Sequence, residues 1–202
     1  MLRIAIVNYG VGNLRSVKRG LERSGATADI TDATMDIEKS DAIVLPGVGA
    51  FKAALKSLNR LSKPILNQVE AGRPILGICL GYQILFTRSH EGGLRRGLGI
   101  LRGDVVKLSG NLKLPHIGWN TISISRSDEI VDGVEDDSYM YFVHSYAPKP
   151  LDKEIAVAYT TYAETFPSIV SHNNIFATQF HPEKSGESGL RILQNFVKLV
   201  KR

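Results

Sequence analysis

The sequence predicts an α/β protein built on a mostly parallel open sheet with helices on both faces, carrying an antiparallel β elaboration in its second half. Three observations predict it. Short β-rich runs alternate with helical periodicity from Leu2 to Phe86, the rhythm of βαβ units. From about Gly97 to Gln179 the pattern changes to short β-rich runs separated by turns. The chain then closes on an apolar stripe at helical spacing.

The elements follow in order. Leu2–Val7 is a first strand and leads through the turn Gly10-Val11-Gly12-Asn13 into a helix over Leu14–Ser24. There Leu14, Val17 and Leu21 fall at helical spacing, and Gly25 suits the C-terminal cap. Ala28–Thr31 and Ala42–Leu45 are further strands, the latter ended by Pro46-Gly47. Ala50–Leu58 is helical, with Phe51, Leu55 and Leu58 on one face, and Pro64 suits the first turn of another helix reaching about Ala71. Pro74–Ile78 is a fourth strand, and Leu80–Phe86 starts a helix. In the second half the β-rich runs are Val105–Leu108, Thr121–Ile124, Tyr139–Val143, Ile155–Ala158, Ser168–Val170 and Ile175–Gln179, with Asn173-Asn174 as a hairpin turn. A last helix over about Ser188–Val200 lines up Leu190, Leu193, Phe196, Val197 and Val200. No repeat or linker interrupts the chain, so residues 1–202 read as one domain.

Composition narrows the functional classes. The 202 residues are 43% hydrophobic and 22% charged, ordinary for a globular chain with a sizeable core. The apolar runs are far too short to span a bilayer. The start lacks the features of a signal peptide, which makes a cytoplasmic setting the expectation. A single cysteine excludes an internal disulfide and a multi-cysteine metal site. The net charge is +5. Its densest cluster, Arg95, Arg96, Arg102, Lys107 and Lys113, is diluted by Asp104 and reads as a solvated face. With no basic helix and no basic–aromatic interleaving, neither nucleic acid nor membrane is expected as a partner.

The sharpest local feature is Gly77-Ile78-Cys79-Leu80-Gly81, between a buried-strand pattern and a helix. It is the cysteine form of the nucleophile elbow. A nucleophile on so tight a turn takes strained backbone angles, and small neighbours two residues away let the chain turn without collision. The turn aims the sulfur off the sheet's C-terminal edge toward a helix N-terminus, which favours thiolate. It also leaves the Leu80 amide free for an oxyanion. The bland alternative is a buried structural cysteine between packing glycines, so a base must be found.

Five histidines are available. His90 and His172 lie in polar loops. His116 and His144 fall in semi-apolar runs and suit core or binding positions. His181 follows a strand and precedes Pro182-Glu183. A residue before proline is biased to extended geometry, which puts residues i and i+2 on one side. His181 and Glu183 can therefore project together, with the carboxylate orienting the imidazole and stabilising its charged form. A His–Pro turn with an exposed glutamate is the plainer reading.

Gly77-Ile78-Cys79-Leu80-Gly81-Tyr82-Gln83, taken with Gln179-Phe180-His181-Pro182-Glu183-Lys184-Ser185, resembles the class I (triad) glutamine amidotransferases, which have a flavodoxin-like fold. Four further runs resemble the glutaminase subunits of imidazole glycerol phosphate synthase. They are Asn8–Ser16, Leu45–Phe51, His116–Asn120 and Tyr141–Tyr146. The resemblance covers essentially the whole chain.

It implies a catalytic triad of Cys79, His181 and Glu183. It implies that Gly47, Val48 and Gly49 supply a backbone N–H to the oxyanion beside Leu80, that Gln83 binds glutamine, and that His144, Ser145 and Tyr146 contact the substrate's amino-acid end. Asn13, Trp119, Asn120, Tyr141 and Lys184 correspond to positions at or near a subunit interface. The implied reaction releases ammonia from glutamine through a cysteinyl thioester, without metal or organic cofactor. The ammonia passes to a (β/α)₈-barrel cyclase, which forms imidazole glycerol phosphate and an aminoimidazole carboxamide ribonucleotide in histidine biosynthesis. A barrel needs roughly 250 residues, so the cyclase is a separate chain and the assembly a heterodimer.

The Gly47-Val48-Gly49 segment is a candidate switch, because a glycine-flanked peptide rotates cheaply. Tyr82 and Ala147 depart from the family pattern, which often has a smaller or unbranched residue at the first position and an aromatic at the second. The rivals are a glutaminase for a different synthase, a cysteine hydrolase or peptidase of the same fold, and a non-catalytic scaffold.

Overall fold

Alternate residues of a strand face opposite sides of a sheet, and the central strands here are apolar on both. In the computed structural model, which describes residues 2–202, strand β1 (Arg3–Val7) sends Ile4 and Ile6 into one core and Ala5 and Val7 into another. The elements that follow are α1 (Leu14–Arg23), β2 (Thr27–Thr31), α2 (Thr34–Glu38), β3 (Ala42–Leu45), α3 (Phe51–Glu70), β4 (Ile75–Ile78) and α4 (Leu80–Ile84). Next come β5 (Phe86–Ser89), β6 (Arg95–Arg96), β7 (Leu101–Lys107), β8 (His116–Thr121), β9 (Ser123–Ile124), β10 (Tyr139–His144) and β11 (Tyr146–Pro150). The chain ends with β12 (Ala156–Tyr162), β13 (Glu164–His172), β14 (Ile175–Thr178) and α5 (Gly186–Val200).

Eight strands form the main sheet in the order β2-β1-β3-β4-β14-β13-β12-β9. The pairings from β2 through β14 are parallel, and those from β14 to β9 are antiparallel. One face is covered by α1 and α5, through Val17, Leu21, Ile192, Leu193, Phe196 and Val197. The other is covered by α2, α3 and α4, through Ile37, Phe51, Leu58, Leu61, Leu80 and Ile84. Burial on both faces explains why β1, β3 and β4 read as unbroken apolar runs. Two small sheets, β10-β8 and β11-β7-β5-β6, make up the rest of the elaboration.

The structure departs from the sequence reading in several places. Ala50–Leu58 and the segment opened by Pro64 are not two helices but the single helix α3, with Pro64 inside it. Proline removes a helix hydrogen bond and crowds the preceding turn. Here Phe51, Ala54, Leu58, Leu61 and Ile65 run through that point as one buried stripe, and this packing holds the helix together. The helix after Cys79 ends at Ile84, because Phe86 already pairs with Leu101 in a sheet. Strands β6 and β11, most of β5 and β8, and helix α2 lie where no element was expected, and the strand expected over Thr121–Ile124 is split between β8 and β9. The hairpin at Asn173-Asn174 is present, with Asn173 at φ 54°.

Phe196 is fully buried and packs edge-on against Phe176, with ring centroids 6.0 Å apart. Truncating such a ring typically costs about 3–5 kcal/mol. Phe196→Ala is expected to lose that much in urea unfolding, and a loss under about 1 kcal/mol would show that α5 does not carry this core.

Candidate active site

The site is assembled by two neighbouring strand ends. In the parallel pair β4 and β14, Ile78 lies opposite Thr178. The next residue of one strand is Cys79, whose N–H donates to Thr178 O at 2.8 Å. The next residues of the other are Gln179, Phe180 and His181. Nucleophile and base therefore leave the sheet side by side at its C-terminal edge.

Cys79 is buried and has φ 53° and ψ −106°, a left-handed backbone that a non-glycine residue holds only under strain. The two flanking glycines are required for space. A Cβ at Gly81 would lie 1.6 Å from Leu45 O, and one at Gly77 would lie 2.9 Å from the Tyr82 backbone. The helix behind the sulfur, α4, has only five residues, little more than one turn. Its dipole is correspondingly slight, and the positive charge near the sulfur comes chiefly from His181.

His181 Nδ1 meets Glu183 Oε1 at 3.0 Å, and both side chains are almost wholly buried. Burial opposes a charge on the imidazole, but the Cys79 sulfur and the Glu183 carboxylate outweigh it and raise the His181 pKa to about 10. Among the described residues neither its Nε2 nor Glu183 Oε2 has a hydrogen-bond partner. The resting contact between Cys79 and His181 is loose. The sulfur instead hydrogen-bonds Val143 O at 3.6 Å and accepts from Gln179 Nε2 at 3.7 Å. Such contacts commonly tighten only with substrate bound.

A cavity of about 210 Å³ opens onto the sulfur and is lined by Gly49, Leu80, Gln83, His144, Ser145 and Tyr146, among others. These are residues the sequence singled out. Gln83 Nε2 donates to Tyr146 O at 2.8 Å. His144 is kept neutral, its pKa lowered to about 3 chiefly by burial, against the pull of the Tyr146 carbonyl. A larger cleft of about 430 Å³ between α1 and α5 touches Glu183 but neither Cys79 nor His181.

Glu91, Pro115 and Val143 also line the cavity and escaped the sequence reading as site residues, and Glu91 alone of these carries a charge. Glu91 accepts a hydrogen bond from Phe51 N–H at 3.3 Å and has its pKa raised by burial. Its only signal in the sequence was an acidic residue in the loop His90-Glu91-Gly92-Gly93, which resembles any solvated turn.

The oxyanion donors are not arranged as the sequence led us to expect. The Leu80 N–H is not free but donates to Gly47 O at 3.3 Å. In a trans peptide the C=O and the following N–H point in opposite directions, so the Val48 N–H faces away. Pro46 is held by the Tyr9 hydroxyl, which donates to its carbonyl, whereas Gly49, at φ 107°, has open space around it.

Of the expected interface residues, Trp119 and Tyr141 are cross-strand partners with ring centroids 5.8 Å apart, and Lys184 Nζ lies 5.7 Å from the centre of the Tyr141 ring. Ile117 and Tyr139, also exposed, extend this face. Asn13 is exposed at the start of α1. Asn120 is half-buried, with its amide engaged by Thr161 O at 3.0 Å and His116 Nε2 at 3.4 Å. Of the two departures from the pattern, Tyr82 is buried edge-on against Phe86, and Ala147 is buried in β11 opposite Val106.

A strained cysteine elbow beside a His–Glu pair, on a parallel sheet, defines a class, and comparisons with known proteins agree on it. The family described as glutamine amidotransferase class-I matches residues 5–200. The imidazole glycerol phosphate synthase subunit HisH of Archaeoglobus fulgidus is 50% identical, over 98% of this chain and 100% of its own length. The same subunit from Caldanaerobacter subterraneus is 44% identical over 98% of each chain. Among solved structures, PurLQS from Thermotoga maritima shares the fold, with a TM-score of 0.75, 20% identity, and 98% of each chain covered. The chain belongs to the class I glutamine amidotransferases and, among them, to the glutaminase subunits of imidazole glycerol phosphate synthase.

The raised His181 pKa depends on the sulfur. Removing the sulfur in Cys79→Ala takes away the leading stabiliser of the imidazolium, so the His181 titration midpoint is expected to fall. Imidazole proton NMR reads it directly, and an unmoved midpoint would mean that the two groups are not coupled.

Proposed function

We propose that this chain hydrolyses glutamine to glutamate and ammonia through a Cys79 thioester and delivers the ammonia to a separate (β/α)₈-barrel cyclase. The observation that carries the reading is the placement of Cys79 beside a His181 whose other ring nitrogen is held by Glu183. His181 takes the thiol proton and the sulfur attacks the side-chain amide carbon of glutamine. The imidazolium then returns that proton to the departing nitrogen. Ammonia leaves and the thioester remains. Water, deprotonated by His181, cleaves it to glutamate and regenerates the thiol. The Glu91 carboxylate complements the substrate's α-ammonium, while Gln83 and the His144–Tyr146 run hold its amino-acid end.

Stabilising the tetrahedral oxyanion requires the Gly47–Val48 peptide to rotate. Rotation withdraws the Gly47 carbonyl, frees the Leu80 N–H and brings in the Val48 N–H. One such donor is typically worth about 3–4 kcal/mol, enough to separate a slow enzyme from a fast one. The partner would hold the rotated form, docking on the exposed aromatic face of β8 and β10 beside Lys184. Apolar faces of this kind commonly mark association sites. The reading sets the reaction in the cytoplasm, a reducing compartment in which a lone nucleophilic cysteine survives.

Ammonia release from glutamine is the decisive measurement, made with and without the cyclase and its ligand. The expected result is slow release by the isolated chain, strong acceleration by the loaded cyclase, and none from Cys79→Ala. Fast turnover by the isolated chain would overturn the peptide switch, and activity in Cys79→Ala would overturn the nucleophile. Glu91→Gln is expected to raise KM roughly tenfold to hundredfold, the worth of a hydrogen bond to a charged group. An unchanged KM removes Glu91 from the substrate site.

A further inference from the structure

The sulfur has a neighbour to which the reaction above assigns no role. Gln179 is completely buried, and its Nε2 lies 3.7 Å from Cys79 Sγ. Its backbone is pinned where β14 ends, by an N–H bond to Ser168 O at 2.9 Å. The orientation of its amide follows from its surroundings. Tyr146 O can only accept, so Gln83 must present Nε2 to it, at 2.8 Å. The same Nε2 meets the Gln179 amide at 3.3 Å, so Gln179 turns its oxygen toward Gln83. Its nitrogen is left facing the sulfur. The Tyr146 carbonyl is fixed in turn by His144 Nδ1 at 3.0 Å, and His144 Nε2 by His116 Nδ1 at 3.1 Å. A flipped Gln179 would set two nitrogens against each other and leave the sulfur facing an acceptor.

We infer that Gln179 is the hydrogen-bond donor to the Cys79 sulfur, stabilising the negative charge left when the thiol proton passes to His181 and the bond to Val143 O is given up, and aiming the sulfur at the cavity, with Gln83 and the Tyr146 carbonyl fixing the donor's direction. A donor on a buried anion is stabilising in a way that an apolar neighbour of the same size is not. The inference rests on Cys79 being the nucleophile of the proposed reaction. It deepens that site by a residue acting on the sulfur rather than on glutamine. The titratable groups that also face the sulfur or its base are His181, Glu183, His144, Tyr9 and Glu91, and all five side chains are retained in the Gln179 variants.

The test reads the sulfur without glutamine. Alkylation of Cys79 by chloroacetamide is followed against pH in the wild type, Gln179→Met and Gln179→Glu. Met keeps the volume without a donor, and is expected to slow alkylation at pH 7 about tenfold, the lower end of what a hydrogen bond to a charged group contributes. Its profile should move to higher pH, and that of Gln179→Glu, with a like charge beside the thiolate, further still. A Gln179→Met profile superposing on the wild type would overturn the inference. Should the variants not fold, side-chain amide NMR of the wild type decides. The Gln179 Hε2 resonances should move with the pH midpoint of alkylation and again when Cys79 is capped, and resonances that respond to neither would overturn it. Failure of glutamine turnover with an intact alkylation response would count against the proposed reaction and leave this inference standing.

Discussion

The parallel pairing of β4 with β14 is the constraint on which the site depends. These two strands are far apart in the sequence, yet their register sets Ile78 against Thr178. Every group that touches the sulfur from the base side follows from that alignment within three residues. A slip of one residue would turn each side chain to the opposite face of the sheet, burying His181 in one core while Cys79 faced the other. The register is set by volume rather than by polarity: the Phe176 ring packs in one core and Ile175 and Ala177 in the other, so a shifted pairing would exchange a large ring for smaller side chains on each face.

Around that alignment the protein carries a buried cluster of titratable groups, which would be costly if any charge stood alone. Glu183 and the imidazolium of His181 compensate each other, while His144 and His116 are kept neutral by burial. The cluster is nevertheless unfinished at rest. His181 Nε2 and Glu183 Oε2 lack partners, the sulfur is turned partly to Val143 O, and the Gly47 carbonyl occupies the Leu80 N–H. The strain at Cys79 and these open valences cluster around the same sulfur, and such strain is characteristic of functional sites.

The β8–β10 ribbon joins the two halves of this picture. One of its faces buries His116, Met140, Phe142 and His144, stacked against Tyr162 and Phe166. The other face exposes Ile117, Trp119 and Tyr139. A single two-stranded element thus carries the exposed aromatic surface on one side and a wall of the cavity at Cys79 on the other.

Local chemistry made much of this legible in advance. The glycines around Cys79, the His-Pro-Glu run and the βαβα rhythm each depend on residues close in sequence, so the elbow, the His–Glu pairing and the α/β class could be read from the chain alone. What needed the tertiary structure was everything set by distant contacts. A buried stripe carried α3 through Pro64, and β8 and β11 became strands only by finding partners. Glu91 became a cavity residue because its loop folds back against Phe51, and Gln179 became a donor because Gln83 and Tyr146 dictate which way its amide turns. The state of the oxyanion loop lay furthest from the sequence. The direction of the Gly47 carbonyl is one rotation of a glycine-flanked peptide, and no local residue pattern reveals the hydrogen bond from Leu80 N–H that fixes it here.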